Sequence, residues 1–180
     1  MRDFLKTSKE SYDKTSQILV IDDDSIILKF FKIHLNKFFS KVAVAKNAAE
    51  AMSILKEKDI DLIIADVFMP KTNGIQLAKK VQRFDMTIPT LLISGVPLDS
   101  KAEEELKVAD GFLKKPFDID DLHNFIRKGL EKRQKYKDLV QLLKKQGTIK
   151  ELFKSKVKLE EHIHAENIEE AQQLLQDLAS

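Results

Sequence analysis

DLIIADVFMPKTNG (residues 61–74) is the stretch on which the reading of this 180-residue chain turns. Leu62, Ile63, Ile64 and Ala65 make a short, unbroken apolar run, the pattern of a buried strand, and the Met69-Pro70 and Asn73-Gly74 pairs mark the loop that leaves it. Between run and loop stands Asp66. A carboxylate just past a buried strand is poorly solvated unless a cation or hydrogen-bond donors meet it, so its partners are expected at the ends of other strands.

Three further apolar runs supply such partners. Asp22 and Asp23 follow Ile18-Leu19-Val20-Ile21, Ser94 follows Thr90-Leu91-Leu92-Ile93, and Lys115, ahead of Pro116, follows Gly111-Phe112-Leu113-Lys114. Around one carboxylate these place an acidic cation site, a hydroxyl and an ammonium. The intervening stretches read as helices. Asp24-Ser25 opens one carrying Ile26, Ile27, Phe30, Ile33, Phe38 and Phe39; Asp24 is read as its cap. Val42–Ala45 is a short strand, numbered 42–45, and Asn47 with Glu50 is a capping signal for a helix burying Ala51, Met52 and Leu55. Gly74 opens the next helix, residues 99–106 form a weaker Glu-rich one with a thin apolar face, and Asp118 caps a last one with Leu122, Phe125, Ile126 and Leu130. Five strands alternating with helices predict an α/β fold, a doubly wound five-stranded parallel sheet. In such sheets the ligand crevice lies at the carboxyl ends of the strands, at the topological switch point; with strand one beside strand three, Asp22, Asp23 and Asp66 converge there.

Composition narrows the function classes. The 43% hydrophobic content supports a real core, and 31 basic against 29 acidic residues give no global attraction to nucleic acid or membrane. Zero cysteines exclude disulfides and thiolate metal sites. No apolar run reaches signal-peptide or membrane-span length, so a soluble, cytoplasmic protein is expected. Residues 1–16 read as a flexible, polar tail with Phe4, Leu5 and Tyr12 as its apolar anchors. His34, His123, His162 and His164 show no ligand spacing and are read as surface or interface residues.

Taken together, Ile18-Leu19-Val20-Ile21-Asp22-Asp23-Asp24, Asp66 with Met69-Pro70 and Gly74, Ser94-Gly95, and Lys115-Pro116-Phe117 resemble the response-regulator receiver domain of two-component signalling, over about residues 17–130. The resemblance implies a flavodoxin-like sheet of order 2-1-3-4-5. It implies Asp66 as phospho-acceptor, with Asp22, Asp23, Asp66 and the backbone carbonyl of Phe68 holding Mg²⁺, an ion that neutralises two mutually repelling anions. Lys115 would add a point charge to the phosphate and Ser94 a hydroxyl donor, while Gly95 leaves room. The Lys115-Pro116 bond is expected to be cis. Phe112 matches the switch aromatic that moves inward with Ser94; the alternative is a plain core residue on the fifth strand. The chain would act as a phosphoryl acceptor rather than an enzyme with a separate substrate, though it would assist its own phosphotransfer and dephosphorylation. Phe68 and Val96 depart from the polar residues often found at these places, and should shield the phosphate from attacking water.

Beyond the receiver, residues 131–180 read as an α-helical extension, a hairpin or coiled coil for dimerisation or output. Apolar residues at 122, 126, 136, 140 and 143 follow a heptad seam, interrupted by Gly129 and Arg133, so the last receiver helix is expected to run on to about Gln146. Residues 127–158 carry 12 basic and 3 acidic side chains, residues 159–180 carry 6 acidic and none basic, a division that favours pairing within or between chains. The expected partners are a sensor histidine kinase or phosphotransfer protein, a downstream protein, and a second copy through the C-terminal helices. One rival is a DNA-binding regulator using the basic helices, against which no helix-turn-helix pattern is found. Another is a haloacid-dehalogenase-type phosphohydrolase, for which Asp22, Asp24, Ser94 and a lysine supply imitations but the further acidic pair is missing.

Overall fold

The computed structural model describes residues 12–70, 72–96 and 104–145, with Leu139, Val140 and residues 142–145 described by backbone alone. Strands β1 (Gln17–Ile21), β2 (Lys41–Ala45), β3 (Leu62–Asp66), β4 (Thr90–Ser94) and β5 (Gly111–Lys114) alternate with helices α1 (Ser25–Leu35), α2 (Ala48–Glu57) and α3 (Gly74–Phe84); a 3-10 turn, Leu106–Val108, precedes β5, and α4 (Ile119–Lys145) follows it. All strands pair in parallel, in the order β2-β1-β3-β4-β5. This is the flavodoxin-like order expected from the sequence.

Side chains along a strand alternate between faces, and both faces here are covered. Leu19 and Ile21 of β1 pack in the cluster with Ala51 and Leu55 of α2 and Leu77 and Val81 of α3. Their neighbours Ile18 and Val20 pack in the opposite cluster with Phe31 and Leu35 of α1 and Leu122 and Ile126 of α4. The helix starts follow their caps: Asp24 accepts from the Ile26 N–H, and Asn47 from the Glu50 N–H while the Glu50 carboxylate accepts from the Lys46 N–H.

Two sequence expectations change, and a third cannot be compared along most of its length. Helix α1 ends at Leu35, short of Phe38 and Phe39; the N–H groups of both donate to the Leu35 carbonyl in a turn that buries Phe39 and brings the chain back to β2. Tyr12, assigned to a flexible tail, is half-buried; its ring meets Phe38 edge to face, lies tilted against Phe39 and stacks on His123. The Glu-rich helix falls largely on residues 97–103, outside the described residues; only its end, closing in the Leu106–Val108 turn, is described. The apolar segments after residue 146 also lie outside the described residues, as does the acidic stretch 159–180.

The chain divides into two compact units, Met1–Arg133 and Gln134–Ser180. Helix α4 runs as one element to Lys145, close to the expected end. Gly129 does not interrupt it. A Cβ there would stand 2.8 Å from Leu62 Cδ1 and 3.2 Å from Pro89 Cβ, so glycine lets the helix backbone come close to Leu62 and Pro89.

Candidate functional site

Parallel pairing sends every strand out at the same edge of the sheet, and the residues just past β1, β3, β4 and β5 meet there. Asp66 closes β3, Asp22 follows β1, and Lys115 follows β5. The Lys115 ammonium donates to Asp66 Oδ1 at 2.7 Å and to Asp22 Oδ2 at 3.2 Å, bridging two carboxylates that are 49 residues and 93 residues away in sequence. Three local contacts hold the bridge in place. The Lys115 N–H donates to the Ser94 carbonyl at 2.7 Å, the Phe68 N–H to Asp66 Oδ2 at 2.7 Å, and the Asp24 N–H to Asp22 Oδ1 at 2.9 Å. The Lys115-Pro116 peptide is cis. A Cβ on Gly74 would lie 2.2 Å from the Asp66 carbonyl oxygen, so only glycine lets α3 start directly over the Asp66 backbone.

The charges are unbalanced. Asp22 is 5% exposed, and burial, with a smaller repulsion from Asp66, raises its carboxyl above the usual aspartate value, outweighing the Asp24 N–H and Lys115. Burial alone would lower the Lys115 ammonium, but Asp66 and then Asp22 reverse this and raise it. A buried carboxylate, Asp22, and a half-buried one, Asp66, therefore share one cation. Hard oxygen donors short of positive charge are the donor set a small divalent cation prefers. Among the described residues, however, no three acidic or histidine side chains converge as a ready-made metal cage. Asp23 is exposed, and the ammonium of Lys115 stands between the other two acids.

The remaining residues singled out from the sequence surround this centre. The fully buried Ser94 turns its hydroxyl along its own loop, donating to the Val96 carbonyl at 2.8 Å and accepting from the Val96 N–H at 3.1 Å. Phe68 and Val96 lie exposed at the rim. Phe112 is on the outward face of β5 and exposed, which removes the reading of a plain core residue. At Gly95 a Cβ would meet the Lys115 side chain at 3.7 Å, an ordinary contact, so glycine is not sterically required in this conformation.

Two groups of residues escaped the sequence reading. His123 is 8% exposed, and its Nε2 lies 2.9 Å from His34 Nε2 while its Nδ1 lies 2.7 Å from the Tyr12 hydroxyl, so these two of the histidines read as surface or interface residues meet each other between elements of the fold. Spacing could not show this, because the three come from separate elements. Arg133, read as a break in the heptad seam, is 6% exposed; it donates to Asp85 at 2.9 Å and to the Thr87 hydroxyl, and lies 3.6 Å from Asp59. A signal existed here: Arg133 falls seven residues after the buried Ile126, on the same helical face.

Residues 18–127 match the family described as the response regulator receiver domain. The chain is 29% identical over 102 residues to the chemotaxis protein CheY of Halobacterium salinarum, covering 56% of this chain and 85% of that one. It is 34% identical over 106 residues to the transcriptional regulatory protein ZraR of Klebsiella oxytoca, covering 58% of this chain but only 24% of ZraR. Among solved structures it is similar to the response regulator TrrA of Thermotoga maritima in complex with Mg(2+)-BeF, with a TM-score of 0.58 and 25% identity over 64% of this chain and all of that one.

Proposed function

Because the chain belongs to the response regulator receiver family, we propose that Asp66 accepts a phosphoryl group from a sensor histidine kinase, a phosphotransfer protein or a small phosphodonor. The observation that carries this reading is the single ammonium of Lys115 shared between Asp66 and Asp22. It leaves one buried carboxylate undercharged at the mouth of the sheet, where a divalent cation and a phosphoryl group would complete the balance.

Mg²⁺ would be held by Asp22, Asp23, Asp66 and the Phe68 carbonyl, and would supply the positive charge that lets an anionic donor approach an anionic nucleophile. For this the Lys115 ammonium leaves Asp22 and Asp23 turns inward. One oxygen of Asp66 then bonds to phosphorus as the bond from phosphorus to the donor breaks. The Phe68 N–H, already on the other oxygen at 2.7 Å, holds the carboxylate in orientation. Lys115 follows the new phosphate oxygens. The Ser94 hydroxyl exchanges its bond to the Val96 carbonyl for one to phosphate, and Phe112 moves from its outward position into the space vacated. Docking of the phosphodonor protein is assigned to α1, which starts beside Asp22–Asp24 and exposes Ile26, Phe30 and Ile33 along one stripe.

Output runs through protein–protein contact made by the helical extension after residue 130, with dimerisation through it, in a cytoplasmic setting; among the described residues no helix is long and apolar enough to cross a membrane. A DNA-binding output is the second reading, favoured by the net charge of +9 over residues 127–158. The test of the central step is Asp66→Asn treated with a small phosphodonor and Mg²⁺: wild type gains an acid- and base-labile phosphate by intact mass, and the variant gains none. Label persisting in the variant overturns the assignment.

A further inference from the structure

Away from the phospho-acceptor site, the end of α1 and the first turns of α4 enclose a cluster of titratable and aromatic side chains. His34 of α1 and His123 of α4 face each other through their Nε2 atoms at 2.9 Å, and Tyr12, from the segment ahead of β1, places its hydroxyl 2.7 Å from the other nitrogen of His123. The rings of Phe38 and His123 meet edge to face with centroids 4.8 Å apart, and Tyr12 lies against Phe39 at 4.9 Å. Among the described residues, charged and titratable groups that reach the pair include Tyr12 from the segment ahead of β1, Lys37 from the turn after α1, and each histidine from the other's helix.

We propose that the His34–His123 pair is a proton-operated clasp, holding the segment around Tyr12 against α1 and α4 near neutral pH and releasing it in acid. The geometry admits one proton between the two Nε2 atoms and no more. With the Tyr12 hydroxyl donating to His123 Nδ1, the His123 Nε2–H donates to His34. With the tautomer reversed, His123 Nδ1–H donates to Tyr12 and His34 donates to His123, an arrangement that also accommodates one positive charge. A further proton puts N–H groups on both facing nitrogens, with no acceptor between them and two cations in contact, so the rings must part. Once they part, the hydrogen bond from Tyr12 to His123 loses its support, and the Phe38–Phe39 surface beneath Tyr12 is uncovered.

The shift of His34 agrees in sign. Burial first, then His123 and Lys37, hold its imidazolium below the usual histidine range. The closed cluster thus binds fewer protons than the open one. The stability it lends is present above the ordinary histidine pKa of about 6.5 and is lost as pH falls through that value and the lowered one.

The test is a pH titration of the full chain by NMR from about pH 7.5 to about pH 5.0 in buffer containing EDTA, following imidazole ¹⁵N shifts, Tyr12 ring protons and the amides of β1 and β3. Expected are Tyr12 ring protons that move from packed to unpacked positions together with the His34 and His123 imidazoles, while the sheet amides hold. The variants His34→Gln and His123→Gln, which keep a donor and an acceptor but do not titrate, should keep Tyr12 packed across the range. Tyr12 remaining packed in wild type while both imidazoles titrate normally overturns the clasp. So does an unchanged acid transition of Tyr12 in both variants. Should a glutamine variant fail to fold, the wild-type coincidence of Tyr12 and imidazole transitions decides alone.

Discussion

Asp22 and Asp85 stand at opposite ends of the same parallel sheet, each against a basic side chain, and their carboxyls are displaced in opposite directions. At the carboxyl end, burial pushes Asp22 up despite Lys115. At the amino end, burial acts on Asp85 too, but the Thr87 hydroxyl, Arg133 and the Thr87 N–H together pull its carboxyl below the usual value. The difference lies in stoichiometry. Arg133 presents a rigid fork to Asp85, Thr87 and the Ile60 carbonyl, while Lys132 holds Asp110 at 3.1 Å, whose other oxygen accepts from the Thr90 N–H. Arg133 also lies 3.6 Å from the exposed Asp59, but Asp85 has the Thr87 hydroxyl and N–H as donors besides the guanidinium. At the carboxyl end one flexible ammonium is divided between two acids. An ionic cluster whose acid is well supplied with donors within the protein fastens elements together, even with the Arg133 Nε left unpaired among the described residues; one whose acids are left short of charge is available to a ligand.

The largest effect that could break this contrast is on Asp22→Asn. Mg²⁺ affinity and phosphodonor labelling should fall by about 10²-fold or more, since one charged ligand is gone. Stability by urea unfolding should nevertheless hold or rise by about 1 kcal/mol, because a buried, undercharged carboxylate has been removed. A clear loss of stability would make Asp22 a structural residue like Asp85.

Arg133→Met is the converse. Taking the guanidinium from Asp85 Oδ2 and the Ile60 carbonyl, while Thr87 still donates to Asp85 Oδ1, should cost about 2 kcal/mol in urea unfolding, below the range for a fully buried pair because the Asp85 side chain is 31% exposed. Calorimetric Mg²⁺ affinity should stay unchanged, the two ends having no partner in common. A fall in Mg²⁺ affinity would show that the amino end reaches the site.

A smaller effect concerns the rim. Phe68 and Val96 cannot hydrogen-bond a water aligned behind phosphorus, so the double variant Phe68→Asn, Val96→Glu should lose phosphate about tenfold faster than wild type on a phosphate-affinity gel after donor removal. Equal decay would place water positioning elsewhere.

The smallest effect is in the acid limb. The stabilisation from Asp85 is present above the ordinary aspartate pKa of about 3.8 and is lost as pH falls through the lowered value. Asp22 does the reverse, relieving the protein as it takes up its proton. Asp85→Asn should therefore flatten the loss of stability between about pH 5 and about pH 3, and Asp22→Asn should steepen it, each by about 1 kcal/mol or less. The same slope in both variants would erase the distinction between the two ends.

Residues whose role depends on their immediate neighbours were legible in advance. Asp24 and Asn47 cap the helices they precede, and Glu50 in the first turn of α2 reaches back to the Lys46 N–H, because a cap is decided within three or four residues. The apolar runs before Asp22, Asp66, Ser94 and Lys115 formed strands for a similarly local reason. Phe38 and Phe39 misled, since their periodicity suits a helix, yet the short return to β2 needs a turn. Gly129 and Arg133 looked like defects in a seam when only the seam's spacing was considered. Gly129 lets the helix close on Leu62 and Pro89, and Arg133 ties it to Asp85.

The sequence by itself determined the alternation of strands and helices and the presence of acids, a hydroxyl and a lysine at successive strand ends, because strand burial and end position are encoded in runs of a few residues. Tertiary structure decided which of those groups share a charge. Lys115 reaches Asp22 and Asp66, Ser94 turns to its own loop, and Asp23 faces solvent. It likewise brought Tyr12, His34 and His123 together, and set Arg133 on Asp85. These outcomes rest on distances of a few ångströms between elements far apart in the chain, which are set by how α1 and α4 pack on one face of the sheet and by strand register, and no local pattern carries that information.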